Sequence, residues 1–207
     1  MKKTRLEAFT DGVLAIVITL LILNVKLPEV DYDHLPEGLM NMLSSIGVYA
    51  LSFLLIGMYW VFHHHTFSFI AEVDGFILWI NIAFLLFISF LPFPTSLLGR
   101  YPVKELPILI YGINLLLINL TGFLGIIYLR RNRQLSTPLF TDAAFRTQMK
   151  MYFGVNLMYV ICITIAFFSP LISILLLAVL TLYLIIRSAI FVGIGKCILP
   201  EYNSEKK

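Results

Sequence analysis

Two acidic side chains, Glu7 and Asp11, run into the first long apolar stretch of the chain, in the segment RLEAFTDGVLAIVITLLIL. A carboxylate within a membrane span costs about 3 kcal/mol or more by insertion scales, so such residues have a partner and a purpose. Intramembrane acids mark proton or ion pathways, or polar networks that tie helices together. The chemistry that these residues suggest is therefore movement of an ion or a proton across a membrane.

The composition of the whole chain supports a membrane location. Of its 207 residues 59% are hydrophobic and only 13% are charged, whereas a soluble domain has about 25% charged residues. We therefore predict an all-α integral membrane protein. The net charge of +3 does not indicate a nucleic-acid partner, because the basic residues flank the apolar segments. Two cysteines, Cys162 and Cys197, are too few for a disulfide framework.

The apolar segments are long enough to divide the chain into one domain of membrane helices. A transmembrane helix needs about 20 mostly apolar residues, and six segments of the 207-residue chain meet this need. The segment before residue 26 has no small-residue cleavage pattern after it, so we interpret it as a retained helix and not as a signal peptide. The predicted spans are residues 6–26, 39–62, 75–98, 106–129, 147–168 and 171–193.

The distribution of lysine and arginine predicts the orientation of these spans. Basic residues cluster in three places: before the first span, between the fourth and fifth, and in the tail. An even number of spans puts all three clusters on one side, so we expect both termini to be cytoplasmic. These residues are Lys2, Lys3, Arg5, Arg130, Arg131, Arg133, Arg146, Lys150, Lys196, Lys206 and Lys207.

The first span has an apolar stripe that is separate from its acid. With about 100° per residue, Ile16, Thr19, Leu20 and Leu23 share one face, and Asp11 falls about 140° from Ile16. We therefore expect Asp11 to face other helices or a polar crevice. Its candidate partners are Trp60 and His63, which are three residues apart on one face of the second span, and Asn81 in the third span.

The start of the first span resembles the signature of a known family. The stretch RLEAFTDG is similar to the Arg-x-x-x-Phe-Ser-Asp signature of the lysosomal potassium channel family, transmembrane protein 175 and its bacterial six-span relatives. Thr10 stands where the family has serine, which keeps a hydroxyl group. The positions that match are Arg5, Phe9, Thr10 and Asp11, then Trp60-x-x-His63, Asn81 and the segment PFPTSLLG from Pro92.

The resemblance implies a potassium-selective cation channel. Bacterial members of the family are homotetramers of six-span subunits in the lipid bilayer, with first helices around a central pore, so a cell (inner) membrane location is implied. K⁺ is the permeant ion, and no other cofactor is implied. By motif offset the hydrophobic constriction falls on Ile16, Leu20 and Leu23, with Thr19 as a hydroxyl layer, and no Thr-Val-Gly-Tyr-Gly filter is present in the sequence. Acidic residues of the first outer loop would concentrate cations; they are Glu29, Asp31, Asp33 and Glu37.

Other functions are weighed against the channel. A proton-coupled secondary transporter would use Asp11 and the histidines of the second span. A metal site at His63, His64 and His65 is disfavoured, because adjacent helical residues project about 100° apart and cannot converge on one ion. The nucleophile elbow, the His-Glu-x-x-His motif and paired catalytic acids of enzymes are absent from the sequence.

Overall fold

The computed structural model describes residues 2–198, and the side chains of all of these except Asn24 and residues 191–198. Within this part the chain forms helices joined by short connections, and the all-α prediction is confirmed. The α-helices are α1 (Lys3–Leu20), α2 (Leu35–Asn41), α3 (Leu43–Ser68), α4 (Gly75–Phe90), α5 (Pro92–Arg100), α6 (Glu105–Arg131), α7 (Asp142–Ala166) and α8 (Pro170–Ile198).

Five helical segments are long and apolar enough to cross a membrane: α3, α4 with α5, α6, α7 and the described part of α8. Each coincides with one of the predicted spans. Helix α1 is not among them, because its 18 residues include four charged ones, Lys3, Arg5, Glu7 and Asp11. That α1 also crosses the membrane therefore stays a prediction, and so does the count of six spans.

The helix ends differ from the predicted spans where polar residues were interpreted as connections. Helix α3 runs to Ser68 and not to residue 62, since the imidazole of His63 stacks on Phe67 with ring centroids 4.1 Å apart. The third span is broken at Leu91, where Pro92 begins α5 without an N–H group to donate. Helix α7 begins at Asp142, five residues before the predicted start, because Thr141 caps its N-terminus.

Asp74 forms the N-cap of α4 and also joins α4 to α6. Its carboxylate accepts hydrogen bonds from the Ile77 amide at 2.9 Å and from the Tyr128 hydroxyl at 2.5 Å. Burial opposes the ionised form, but these hydrogen bonds outweigh it and lower the pKa of the Asp74 carboxyl below its ordinary value. The start of α4 is therefore fixed both to its own first turn and to the end of α6.

The N-terminus and the two connections that follow α3 and α6 lie at the same end of the bundle. The Lys3 ammonium donates to the carbonyl of Ile70 at 2.9 Å. The Ala71 amide in turn donates to Leu135, and the Thr137 amide to Phe69, both at 2.8 Å. The first two predicted clusters of basic residues, before α1 and between α6 and α7, therefore share one end. The tail residues Lys206 and Lys207 lie outside the described residues, as does the side chain of Lys196.

The core of the bundle lies between α3, α4, α6 and α7, with α8 against α3 and α7. Helix α1 packs on one side of this bundle, against α3 and α4. Its buried side chains recur every three or four residues, as expected for a helix with one packed face. They are Leu6, Thr10, Leu14, Val17 and, just after the helix, Leu21.

Candidate pore-lining helix and its hydrogen-bonded network

The side of α1 that points away from α3 and α4 carries most of the stripe derived from the sequence. Helix α1 ends at Leu20 and not at residue 26 as predicted, so Leu23 lies in the short 3-10 turn Ile22–Asn24 that follows it. Ile16 is 61% exposed and Leu23 is 73% exposed, and Thr19 and Leu20 between them are exposed as well. Phe9 lies on the same side and is also exposed. A single subunit thus leaves the residues of the predicted constriction uncovered, beside a helix face that is packed.

The Thr19 hydroxyl is bonded within its own helix. It donates to the carbonyl of Ile16 at 2.7 Å, which is the usual arrangement for threonine in a membrane helix. The residue is exposed, and its hydroxyl proton is already used in this bond. Thr19 can therefore present an acceptor, but not its hydroxyl proton, to whatever covers this face of α1.

Asp11 has one partner from another helix. The Trp60 Nε1–H of α3 donates to Asp11 Oδ1 at 2.9 Å, and the indole stacks on His64. The sequence suggested Trp60, His63 and Asn81 as donors to this carboxylate, and the structure brings only Trp60 to it. Asp11 is exposed and lies at the α3 edge of the packed face of α1.

Thr10 makes the contact that the sequence suggested for Asp11. It is fully buried, and its hydroxyl oxygen accepts from Asn81 Nδ2 at 2.9 Å. Asn81 Oδ1 lies 2.8 Å from His63 Nε2. Because the Asn81 amide group donates to Thr10, its oxygen is the acceptor, and His63 must carry its proton on Nε2. A chain of hydrogen bonds thus joins α1, α4 and α3.

His63 is held in this orientation by aromatic rings on both sides. Its ring stacks on Phe67 at 4.1 Å and on Phe84 at 5.4 Å. His65 points elsewhere, with its ring against Phe69 and Nδ1 3.4 Å from the Gln148 amide. The three consecutive histidines therefore diverge, and among residues 2–190 no group of three or more His, Cys, Asp or Glu is placed to hold a metal ion.

Arg5 and the acids that follow α1 lie away from the network. Within the part of the chain whose side chains are described, the Arg5 guanidinium makes no hydrogen bond, and Arg5 is exposed near the start of α1. On the opposite end, Glu29, Asp31 and Glu37 line an open groove between the segment after α1 and helix α2. The acids therefore sit close to the end of the exposed stripe, beyond Leu23.

The burial of Thr10 was the feature that sequence reasoning missed. A helical wheel places Thr10 about 120° from Ile16, near the centre of the face that Leu6, Leu14 and Val17 define. The helical wheel therefore contains the signal for a buried Thr10, next to the charged Asp11.

An all-helical bundle in which one charged helix leaves an apolar stripe uncovered has the features of a membrane channel subunit. The sequence model of the endosomal/lysosomal potassium channel TMEM175 matches residues 5–92. The chain is 35% identical over 175 residues to a potassium channel of Chryseobacterium sp.. This match covers 84% of this chain and 88% of the relative. The chain therefore belongs to the TMEM175 family, a family of ion channels and not of enzymes.

Two further comparisons extend this result to the fold and to a more distant relative. The crystal structure of a lysosomal potassium-selective channel TMEM175 homolog from Chamaesiphon minutus matches with a TM-score of 0.80 and 29% identity, over 90% of this chain and 97% of that one. The human endosomal/lysosomal proton channel TMEM175 is 27% identical over 188 residues. That match covers 86% of this chain but 37% of the human protein.

Proposed function

We propose that the chain is the subunit of a potassium-selective cation channel in which the first helices of several copies surround a pore. The observation that carries this proposal is the open face of α1. Two of its four charged residues, Arg5 and Asp11, are exposed, and a charged side chain is costly in contact with lipid. Copies of the same helix, packed around an axis, would cover the stripe of Ile16, Leu20 and Leu23 and shield the charges from lipid.

The constriction would work by excluding water. Rings of Ile16, Leu20 and Leu23 would hold water poorly when narrow, so the closed pore would block ions without a plug. On opening, Thr19 oxygens could replace part of the hydration shell of K⁺, and the exposed acids Glu29 and Asp31 would raise the local cation concentration. K⁺ itself is the permeant ion, and the mechanism requires no other cofactor.

The network behind α1 would set the position of this constriction. Thr10 is bonded to Asn81 and Asp11 to Trp60, so the N-terminal half of α1 is attached to both α3 and α4. The family resemblance supports a homotetramer. The shared end of the N-terminus and the 132–141 connection supports a cytoplasmic location for that end in a bacterial inner membrane.

The experiment that tests the proposal compares two exposed isoleucines. Purified protein is placed in a planar bilayer between K⁺ and Na⁺ solutions, and the reversal potential is measured for the wild type, Ile16→Ala and Ile186→Ala. Ile16 is 61% exposed and Ile186 is 58% exposed, but only Ile16 belongs to the stripe. We expect a reversal near the K⁺ potential that Ile16→Ala shifts towards zero and Ile186→Ala leaves unchanged. Equal behaviour of the two variants would contradict the pore assignment, and native mass spectrometry would test the tetramer.

A proton-coupled transporter is the second candidate, because the human relative is named as a proton channel and Asp11 is exposed. In this case proton flux in vesicles would depend on Asp11 and on the histidines of α3. An Asp11→Asn variant that assembles normally but loses substrate-driven proton flux would favour the transporter. Loss of assembly, with Trp60 left unpaired, would favour a structural role for this carboxylate.

A further inference from the structure

A cavity of about 90 Å³ lies inside the bundle, between α3, α4, α6 and α7, with Leu184 of α8 also in its wall. It is separate from the exposed stripe of α1, and its wall is mostly buried. Aromatic rings form one side, and two glycines of α6, Gly122 and Gly125, form part of another. The hydrogen-bonded pair His63 and Asn81 also lines it, so the cavity reaches the network that holds α1.

Most polar side chains of the wall already make a hydrogen bond within the protein, including Thr66 and Tyr152 with each other. His63 and Asn81 bond to each other, Asn119 donates to the carbonyl of Tyr152 at 3.3 Å, and Thr121 donates to the carbonyl of Ile118 at 2.6 Å. A buried water needs two to four polar partners. A wall that offers mainly hydrocarbon and aromatic carbon favours an apolar occupant over water.

We propose that this cavity is a binding site for one small, uncharged, apolar molecule that enters from the hydrocarbon phase of the membrane. In another protein a cavity of about 150 Å³, lined by Leu, Ile and Phe, stays dry and binds benzene or xenon. A cavity of about 90 Å³ selects for the smaller members of that class. A charged or strongly hydrogen-bonding ligand would find too few free partners here to offset its desolvation.

The occupant would touch the network that positions α1. Asn81 contacts the cavity with one side and donates to Thr10 of α1 with its amide. A ligand that presses on Asn81 or on His63 therefore changes the geometry of the bond that attaches α1 to α4. This coupling rests on the proposed channel function, whereas binding of the ligand does not.

The local geometry of Gly125 provides a way to fill the site. A Cβ atom added at Gly125 would lie 3.8 Å from Ile80 Cγ2, an ordinary van der Waals distance. The larger side chain of Gly125→Leu would extend from there into the space. At Gly154 of α7 an added Cβ meets nothing within 4 Å, and Gly154 does not line the cavity. Gly154→Leu is therefore the matched control.

The test is xenon binding in crystals of the full-length protein under pressure, read from anomalous scattering. We expect a xenon peak beside His63 and Asn81 in the wild type and in Gly154→Leu, and its loss in Gly125→Leu. If Gly125→Leu does not fold, Gly125→Ala provides the same comparison, with reduced occupancy expected. No xenon peak in the wild type, or ordered water or a lipid chain in its place, would overturn the proposal.

A second measurement separates binding from function. The K⁺ flux of vesicles is recorded with and without dissolved xenon, for the wild type and Gly125→Leu. A xenon-dependent change in the wild type alone supports coupling through Asn81. A xenon peak in a protein that conducts no K⁺ would leave the binding site intact and contradict the proposed channel function instead.

Discussion

Replacing Asn81 by leucine should weaken the fold and displace α1, the proposed pore helix, at the same time. Asn81 is 3% exposed and makes two bonds between helices, to Thr10 at 2.9 Å and to His63 at 2.8 Å. Hydrogen bonds between membrane helices contribute about 0.6 kcal/mol on average and up to about 1.7 each. The loss of two, with a buried hydroxyl and an imidazole N–H left unpaired, should cost about 1 to 3 kcal/mol.

Asn114 provides a matched control for this substitution. It is also 3% exposed, but its amide makes one bond, to the carbonyl of Phe87 at 3.1 Å, between α6 and α4. Asn114→Leu should therefore cost about half as much and leave α1 in place. Both variants are measured by chemical unfolding in detergent and by K⁺ flux after reconstitution.

Unfolding stability and K⁺ flux together test whether Asn81 positions α1. We expect Asn81→Leu to lose both stability and selective K⁺ flux, and Asn114→Leu to lose some stability while conducting K⁺ normally. If Asn81→Leu were no less stable than Asn114→Leu, and its K⁺ flux were unchanged, the network would not position α1, and the role assigned to Asn81 would be wrong.

Three further predictions concern single residues. Trp60→Phe removes the donor to Asp11 and should lower the free energy of unfolding by about 1 kcal/mol. The control is Trp79→Phe, at a 69% exposed tryptophan of α4, which should leave the free energy of unfolding unchanged. Equal losses in the two variants would argue against the Asp11 bond. Gly122→Ala should destabilise the protein by about 1 to 3 kcal/mol, because its Cβ would lie 2.6 Å from the Tyr152 hydroxyl oxygen; a normal melting temperature would show that Tyr152 moves freely. Asp74→Ala removes an N-cap and should cost about 1 kcal/mol near neutral pH. Since the pKa of Asp74 is lowered in the folded state, its ionised form stabilises the fold above the unfolded pKa of about 3.9, and this contribution is lost as the pH falls through the lower folded value. Asp74→Asn should flatten that acid dependence of unfolding, and an unchanged slope would contradict it.

Much of the fold follows from local patterns in the sequence. The apolar segments were long enough to place each of the five candidate spans, because length and hydropathy suffice for that. The helical wheel also placed Ile16, Thr19, Leu20 and Leu23 on one side of the first helix, where the structure has them exposed. Both results depend on period and composition, which are local properties.

What the sequence did not predict depends on contacts between helices. The histidines looked like a polar connection, but ring stacking of His63 on Phe67 and Phe84 lets α3 continue through them. The pairing of Thr10 with Asn81 joins residues 71 positions apart, and no spacing rule applies over that distance. The cavity beside Gly125 likewise results from the meeting of five helices.

The hydrogen bonds between α1 and the rest of the described structure all lie in its N-terminal half, and this affects how the helix can move. Lys3 is hydrogen-bonded to Ile70 in the connection after α3, and Thr10 and Asp11 are hydrogen-bonded to α4 and α3. Beyond Asp11 the described side chains of α1 make only apolar contacts with the bundle. The N-terminal half of α1 is therefore held more firmly than its C-terminal half. With a rise of 1.5 Å per residue, Ile16 lies about 8 Å and Leu20 about 14 Å along the helix from Asp11, the last residue bonded to another helix. A small tilt moves Leu20 nearly twice as far as Ile16, so in the proposed channel the pore should widen first at the Leu20 end, beside the acidic loop.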